Sequence, residues 1–288
     1  VAAETTENVV TAFNPGGFTI GNDTGVNQSG YNYIAWNWAA GGSAVTNTDG
    51  TITSQVSANT DYGFSVVGYT GNNTAGATVG HGLSSVPKWI LVKSRGQTGQ
   101  YWHVYHEALA SNEYIYLNVT SAKTSGADFM NSTDPTSSVF TLGNGNGCNK
   151  SSDPVVAYCW SEVAGYSKFG SYTGTGTSTG PVVTTGFKVR FLMVKRTDST
   201  GDWVILDTET NPGGSFSKSF YASNNDAEYT PGQVWASALA DGFQPTATYN
   251  EINASGGTYI YAAFADRPGN NWDVNNIVTN EGLTTSKT

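Results

Sequence analysis

Apolar positions along this chain fall in short clusters, and one cluster recurs. Gly17-Phe-Thr-Ile20 leads through Asn27-Gln-Ser29 to Tyr31–Trp38. The arrangement returns as Val139-Phe-Thr-Leu142, Asn149-Lys-Ser151 and Val155–Trp160, and again as Gly242-Phe243, Asn253-Ala-Ser255 and Tyr259–Phe264. Asn27 to Trp38, Asn149 to Trp160 and Asn253 to Phe264 are each eleven residues apart. A fixed spacing of this kind marks a repeat architecture. Upstream of the second and third copies, Gly63–Gly71 matches Lys168–Gly174, with Tyr69 and Tyr172 103 residues apart. Pro87–Lys93 matches Lys188–Lys195, and Tyr101–Tyr105 matches Asp202–Leu206.

The matched runs are of strand length. Pro87–Lys93 and Lys188–Lys195 are nearly continuous apolar stretches, as expected of strands covered on both faces. Gly, Asn, Asp or Pro interrupts the pattern every 8 to 15 residues, which predicts many short strands joined by tight turns. The expected fold is all-β, a tandem β-sandwich of jelly-roll or concanavalin-like units about 100 residues long. The boundaries that follow are 1–42 as the C-terminal half of a unit, 43–61 as a linker or edge strand, 62–164 and 165–267 as two complete units, and 268–288 as a linker to a further module. Within 1–42, Val9–Phe13, Gly17–Ile20 and Tyr31–Trp38 read as strands. Half a unit cannot close its own core, so Phe13, Phe18, Ile20 and Ile34 are candidate assembly residues. An unpartnered strand edge seeks another chain or domain.

Composition narrows the function. The 288 residues are 38% hydrophobic and 12% aromatic, enough to build substantial cores, while only 12% are charged. Thirteen basic residues and a net charge of −9 argue against nucleic acid binding, which needs a cationic surface. Membrane insertion is not expected, since no apolar run approaches the ~18 residues of a spanning helix. The start at Val1, without Met, suggests a processed product or a fragment. Cys148 and Cys159 match Val26 and Asn37 in one copy and Ile252 and Ala263 in the other, so unpaired thiols are favoured over a disulfide.

Candidate chemistry is sparse. His103 and His106 are three apart on a strand and point to opposite faces, so surface or turn roles are expected rather than a metal site, and His81 reads as a loop residue. Asp198, Asp202, Asp207 and Glu209 form an acidic stretch, but the matched segment of the first unit lacks a second carboxylate for glycoside hydrolysis. Calcium is the one metal the Asp-rich turns leave open, and no spaced calcium loop accompanies them. No serine stands in a nucleophile elbow. Each Asn-x-Ser triplet fits a glycosylation sequon, yet its fixed place in the repeat favours a turn role. Most Trp residues hold matched strand positions and read as core. Trp235 and Tyr229, in the unmatched stretch 228–240, and Trp36 are the candidates for stacking on a sugar, together with Trp272.

Several motifs carry a family resemblance. Phe64-Ser-Val-Val-Gly-Tyr-Thr-Gly71, Val79-Gly-His-Gly-Leu83, Asp134–Gly143, Val156-Ala-Tyr-Cys-Trp160, Ser167–Gly174, Lys195–Trp203 and Ile252–Tyr261 resemble a repeat family in virion proteins of tailed bacteriophages, especially marine and cyanobacterial ones. The resemblance covers roughly residues 17–266. It implies a non-enzymatic structural protein of the virion, of tail fibre or appendage type, often beside concanavalin A-like or laminin-G-like modules. It implies a homo-oligomer, with a trimer favoured, that contacts other virion proteins and supports attachment to host surface polysaccharide. A lectin-like receptor-binding module and a capsid decoration protein are the alternatives, with a polysaccharide depolymerase the least supported. The family brings no catalytic residues with it.

Overall fold

A computed structural model describes residues 8–14, 17–208, 210 and 214–265 of the chain. The expected linker 268–288, with Trp272, and Glu209 lie outside the described residues. Contacts divide the described residues into two units, one within 8–38 and the other within 39–265.

In the small unit, β1 (Val10–Asn14) and β2 (Gly17–Ile20) pair as an antiparallel ladder, with Phe13 opposite Phe18. A single helical turn, α1 (Thr24–Asn27), follows, capped by the Asp23 carboxylate on Gly25 N at 2.7 Å. The strand expected at Tyr31–Trp38 is absent: this segment has no regular secondary structure. The physical reason lies in the two matched strands of the large unit, each of which is held by a neighbour on both sides. Among the described residues Tyr31–Trp38 joins no such ladder, and strand propensity alone does not make a strand.

The large unit is all strand and turn. Its first half contains β3 (Val45–Asn47), β4 (Ser54–Asn59), β5 (Phe64–Thr70), β6 (Ala77–Gly80), β7 (Pro87–Ser94), β8 (His103–His106), β9 (Glu113–Tyr116), β10 (Thr124–Ser125), β11 (Val139–Leu142) and β12 (Pro154–Ser161). Its second half contains β13 (Ser167–Thr173), β14 (Val183–Thr184), β15 (Val189–Arg196), β16 (Trp203–Asp207), β17 (Ser215–Phe216), β18 (Phe220–Tyr221), β19 (Ala236–Leu239), β20 (Gly242–Pro245) and β21 (Thr258–Ala265). The first half forms an eight-stranded sheet, β10-β9-β8-β7-β12-β5-β4-β3, faced by the pair β11-β6. The second forms a five-stranded sheet, β13-β21-β15-β16-β18, faced by β14-β20-β19-β17. All named pairings are antiparallel.

The two halves use the same central ladder. β12 lies between β5 and β7, as β21 lies between β13 and β15. Trp89 sits opposite Trp160, and Phe191 sits opposite Phe264. The segment 43–61, expected as a linker or edge, supplies β3 and β4 to the open side of the eight-stranded sheet, and Ile52 bridges to Val79.

Strand alternation sorts these sheets into layers. One face of the eight-stranded sheet (Val67, Tyr69, Ile90, Val92, Ala157, Cys159) packs on Val79, Phe140 and Leu142 to form the first core. One face of the five-stranded sheet (Leu192, Val194, Val204, Leu206, Tyr261, Ala263) packs on Phe216, Trp235, Ala236 and Phe243 to form the second. The opposite faces are also buried. Phe64, Trp89, Leu91, Val104, Ile115 and Trp160 cover the back of the first sheet, and Phe169, Met193, Trp203, Ile205, Ile260 and Phe264 cover the back of the second. They meet each other: the Trp89 and Phe169 rings lie 6.0 Å apart, and Trp203 Nε1 donates to the Tyr116 carbonyl at 2.8 Å. Four sheets are therefore stacked, with an apolar layer in each of the three gaps.

Candidate ligand site

The Tyr-Thr-Gly and Asn-x-Ser motifs combine into one structural latch, used twice. Tyr69 Oη donates to the Cys148 carbonyl at 2.7 Å, and Tyr172 Oη donates to the Ile252 carbonyl at 2.7 Å. The next residue in each case is the motif Asn, fully buried. Asn149 donates to Thr74 O and Gly143 O and accepts from Asn72 N, and Asn253 donates to Thr177 O and accepts from Thr175 N. Gly71 and Gly174 allow the close approach, since a Cβ there would stand 2.3 Å from the Lys150 and Ala254 carbonyl oxygens respectively. Asn149 and Asn253 are thus interior turn-formers that no glycan can reach, in keeping with the turn reading. Asn27 is exposed but keeps the matching contact, Nδ2 to Gly21 O at 2.7 Å.

The second latch positions a cleft. The Tyr249 carbonyl accepts from Asn253 N at 2.9 Å, which places Tyr249 and Glu251 just ahead of the buried Asn. Opposite them, Tyr221 ends β18, and Tyr229 is tied to Ser219 by a reciprocal backbone pair at 2.9 Å. A Lys218–Glu228 ion pair at 2.7 Å flanks that bridge. Trp235 is fixed by its own backbone, N to Phe216 O at 2.8 Å. Tyr221, Tyr229, Trp235, Tyr249 and Glu251 line an open cleft of about 220 Å3. The Trp235 and Tyr249 rings are 5.1 Å apart at 60°, and the Tyr221 and Tyr229 rings are 6.3 Å apart at 33°. Burial raises the Tyr221 hydroxyl above its ordinary pKa, so it stays protonated.

Two of the four sugar-stacking candidates, Trp235 and Tyr229, therefore come together here. Their exposures correct the expected role. Trp235 is only 2% exposed and packs within the second core, so it forms a floor rather than an open stacking platform; Tyr229, at 46%, forms the rim. The Trp235 Nε1 proton is buried with no acceptor among the described residues. Trp36 is half-buried in the small unit, away from regular structure. Tyr221, Tyr249 and Glu251 were not anticipated. The signal available in the sequence was that Tyr249 and Glu251 lie within four residues of Asn253, so any loop packed on that latch would face them. Of the assembly candidates, Phe13 is 88% exposed and Ile20 is exposed, while Phe18 and Ile34 are half-buried.

His103 and His106 overturn their expected surface or turn roles. His103 is buried among Tyr114, Tyr116 and Phe129, with ring centroids 5.0 to 5.7 Å away, and its Nδ1 meets the Tyr101 carbonyl at 3.2 Å. His106 lies on the opposite face, as the alternation requires, but inside the layer between the sandwiches. His81 lies in the loop after β6, as expected, and is fully buried there, with Nδ1 accepting from Leu83 N and Nε2 meeting Thr136 O at 3.1 Å. A ring nitrogen paired with backbone satisfies an interior that sequence polarity alone does not reveal.

The acidic stretch is divided among separate structural partners. Arg196 grips Asp198, with Nε to Oδ1 at 2.9 Å, and holds its carboxyl down to about 2. Asp202 accepts from Ser223 Oγ at 2.7 Å, and Asp207 faces Arg190 at 3.3 Å. Among the described residues no group of three or more His, Cys, Asp or Glu side chains is placed to hold a metal ion. Cys148 and Cys159 are both buried free thiols, in agreement with the unpaired reading.

Fold and cleft together define an all-β protein of paired sandwiches with an aromatic pocket near the rim of the second. Residues 1–268 match the family model described as "Domain of unknown function (DUF7483)", and the chain belongs to that family. No curated protein and no solved structure matches it.

Proposed function

We propose that this chain is a non-enzymatic structural segment of a tailed-phage virion, part of a tail fibre or appendage that supports host attachment. The motif resemblance supports the virion assignment. The observation that carries the structural role is the buried layer between the two sandwiches. Domains joined by short linkers ordinarily move relative to one another unless their interface is large and apolar. Here the connection is only 162–166, and the backs of both central sheets are sealed with aromatic and aliphatic side chains. Hydrogen bonds between the two halves add register: Gly201 N donates to Thr120 O at 2.9 Å, and Lys123 N donates to Thr197 O at 2.9 Å. A joint of this kind transmits force along a fibre without bending.

An antibody raised against the full chain, gold-labelled and applied to purified phage particles, tests this assignment. Label on the tail or its appendages is expected. Label spread over the capsid, or none on particles, would overturn it. Native mass spectrometry of the full chain should show a homo-oligomer, with the trimer as the expected species.

A further inference from the structure

The cleft at Tyr221, Tyr229, Trp235, Tyr249 and Glu251 has a shape and a charge that select among ligands. A sugar ring stacks on a flat aromatic face open to solvent, and the only Trp here is buried. Instead, four rings set at different angles surround a small space, with a carboxylate as the single charged side chain in its lining. Aromatic faces carry negative quadrupole charge, and several of them around one space attract a cation. At about 220 Å3 the space is smaller than the ~300–1,000 Å3 typical of clefts for larger organic ligands, so it suits a compact head group.

The surrounding charge agrees. Two cations reach Glu251 without an ion pair to it: Arg196 is held by Asp198 and also meets Asn250, and the buried Lys195 ammonium donates to the Arg196 and Thr120 carbonyls. Lys218 is held by Glu228. Glu251 has no ion-pair partner among the described residues. The chain carries a net charge of −9, which raises the local concentration of small cations.

We propose that this cleft binds a methylated ammonium group, with Tyr221, Tyr229, Trp235 and Tyr249 as the cage and Glu251 as the counter-charge. The quaternary ammonium is favoured over a primary amine because it carries no N–H to satisfy, its charge is spread over methyl groups, and an aromatic lining desolvates it at low cost. Such a group occurs on soluble phosphocholine-type substituents and on lipid head groups. The inference is independent of the virion role and stands or falls separately from it.

The test is saturation-transfer NMR and calorimetry on the full chain, with tetramethylammonium chloride as the probe and ammonium chloride and neutral monosaccharides as comparators. Saturable binding of tetramethylammonium is expected, with Tyr229→Ala and Glu251→Gln each weakening it by about tenfold. Tyr229 is exposed and Glu251→Gln preserves shape, and circular dichroism checks that both variants fold. Soluble phosphocholine and phosphatidylcholine vesicles then distinguish the source: binding of the first alone points to a polymer substituent, and binding of both to a membrane surface. Absence of tetramethylammonium binding, binding unchanged in Glu251→Gln, or equal binding of neutral sugars at this cleft would overturn the proposal.

Discussion

His106 Nε2 donates to the main-chain carbonyl of Tyr261 at 3.0 Å, a bond that joins one sandwich to the other across 155 residues of sequence. Its other nitrogen, Nδ1, accepts from Ala108 N at 3.1 Å, so both partners demand the neutral ring protonated at Nε2. A second proton would meet the Ala108 N–H inside an apolar layer.

Acid should therefore loosen the protein before its carboxylates account for the loss. Burial lowers both His106 and His103 to about 4, below the ~6.5 of the unfolded chain. The unfolded state then binds more protons than the folded one between those values. The stability linked to each histidine is complete above pH ~6.5 and is lost as pH falls towards 4, by up to about 3 kcal/mol per residue. Urea midpoints at pH 7.5, 5.5 and 4.5 check this: the wild type should fall more steeply between 7.5 and 4.5 than His106→Phe, whose slope lacks one of the three histidine contributions, since burial lowers His81 as well.

The latches make a second prediction. Tyr69→Phe and Tyr172→Phe each remove one hydroxyl and strand one carbonyl, at a cost of about 1 kcal/mol. Asn253→Ala removes a fully buried amide and with it the bonds to the Thr177 carbonyl and the Thr175 N–H, and should cost roughly 2 kcal/mol, while the Thr175 hydroxyl keeps Thr177 as a partner. Gly174→Ala should be severe, roughly 2 kcal/mol or more, because its Cβ meets a carbonyl oxygen rather than a movable side chain. Gly232→Ala, which meets no atom within 4 Å, should leave the midpoint nearly unchanged. Equilibrium unfolding of the four types of variant ranks them.

These residues also show where the sequence is legible. The continuous apolar cores of Pro87–Lys93 and Lys188–Lys195, Trp89–Val92 and Phe191–Val194, correctly demand cover on both faces. The strand says only that a cover exists; that the other sandwich supplies it, as Phe169 does for Trp89, is a property of how two sheets stack. The same limit explains the histidines. His106 looks like a surface residue because a polar side chain reads as solvent-facing until a carbonyl from another sandwich is found beside it. At Tyr31–Trp38 the pattern matches two true strands, but among the described residues the segment joins no ladder, and propensity without a ladder fails. For the cleft, Trp235 and Tyr229 stand out as unmatched aromatics, whereas Tyr221, Tyr249 and Glu251 belong to it only through folding.

The two thiols should be silent in the native protein. Burial raises Cys148 to about 12 and pushes Cys159 upward as well, and Cys148 Sγ donates to the Asp128 carbonyl at 3.3 Å. Since the thiolate is the reactive form, neither should react with iodoacetamide at pH 8 until the chain unfolds. Labelling followed by mass measurement should show no adduct in buffer and two in denaturant.

The buried layer between the sandwiches predicts that they melt together. Trp89 touches Trp160 on its own sheet, with centroids 4.5 Å apart, and Phe169 on the other sandwich. Trp89→Ala should leave a cavity and cost about 3–5 kcal/mol. If the layer couples the halves, calorimetry of the full chain gives one main transition for residues 39–265, and Trp89→Ala moves that whole transition down. If the halves are independent, the variant splits the trace, lowering one component and leaving the other in place. Phe169→Ala supplies the cross-check, since contacting residues do not add: the double variant Trp89→Ala/Phe169→Ala should cost less than the two single losses combined, by about 0.5–3 kcal/mol. Strict additivity would mean that the two rings meet without exchanging energy, and the stiffness argued for the joint would then lack its physical basis.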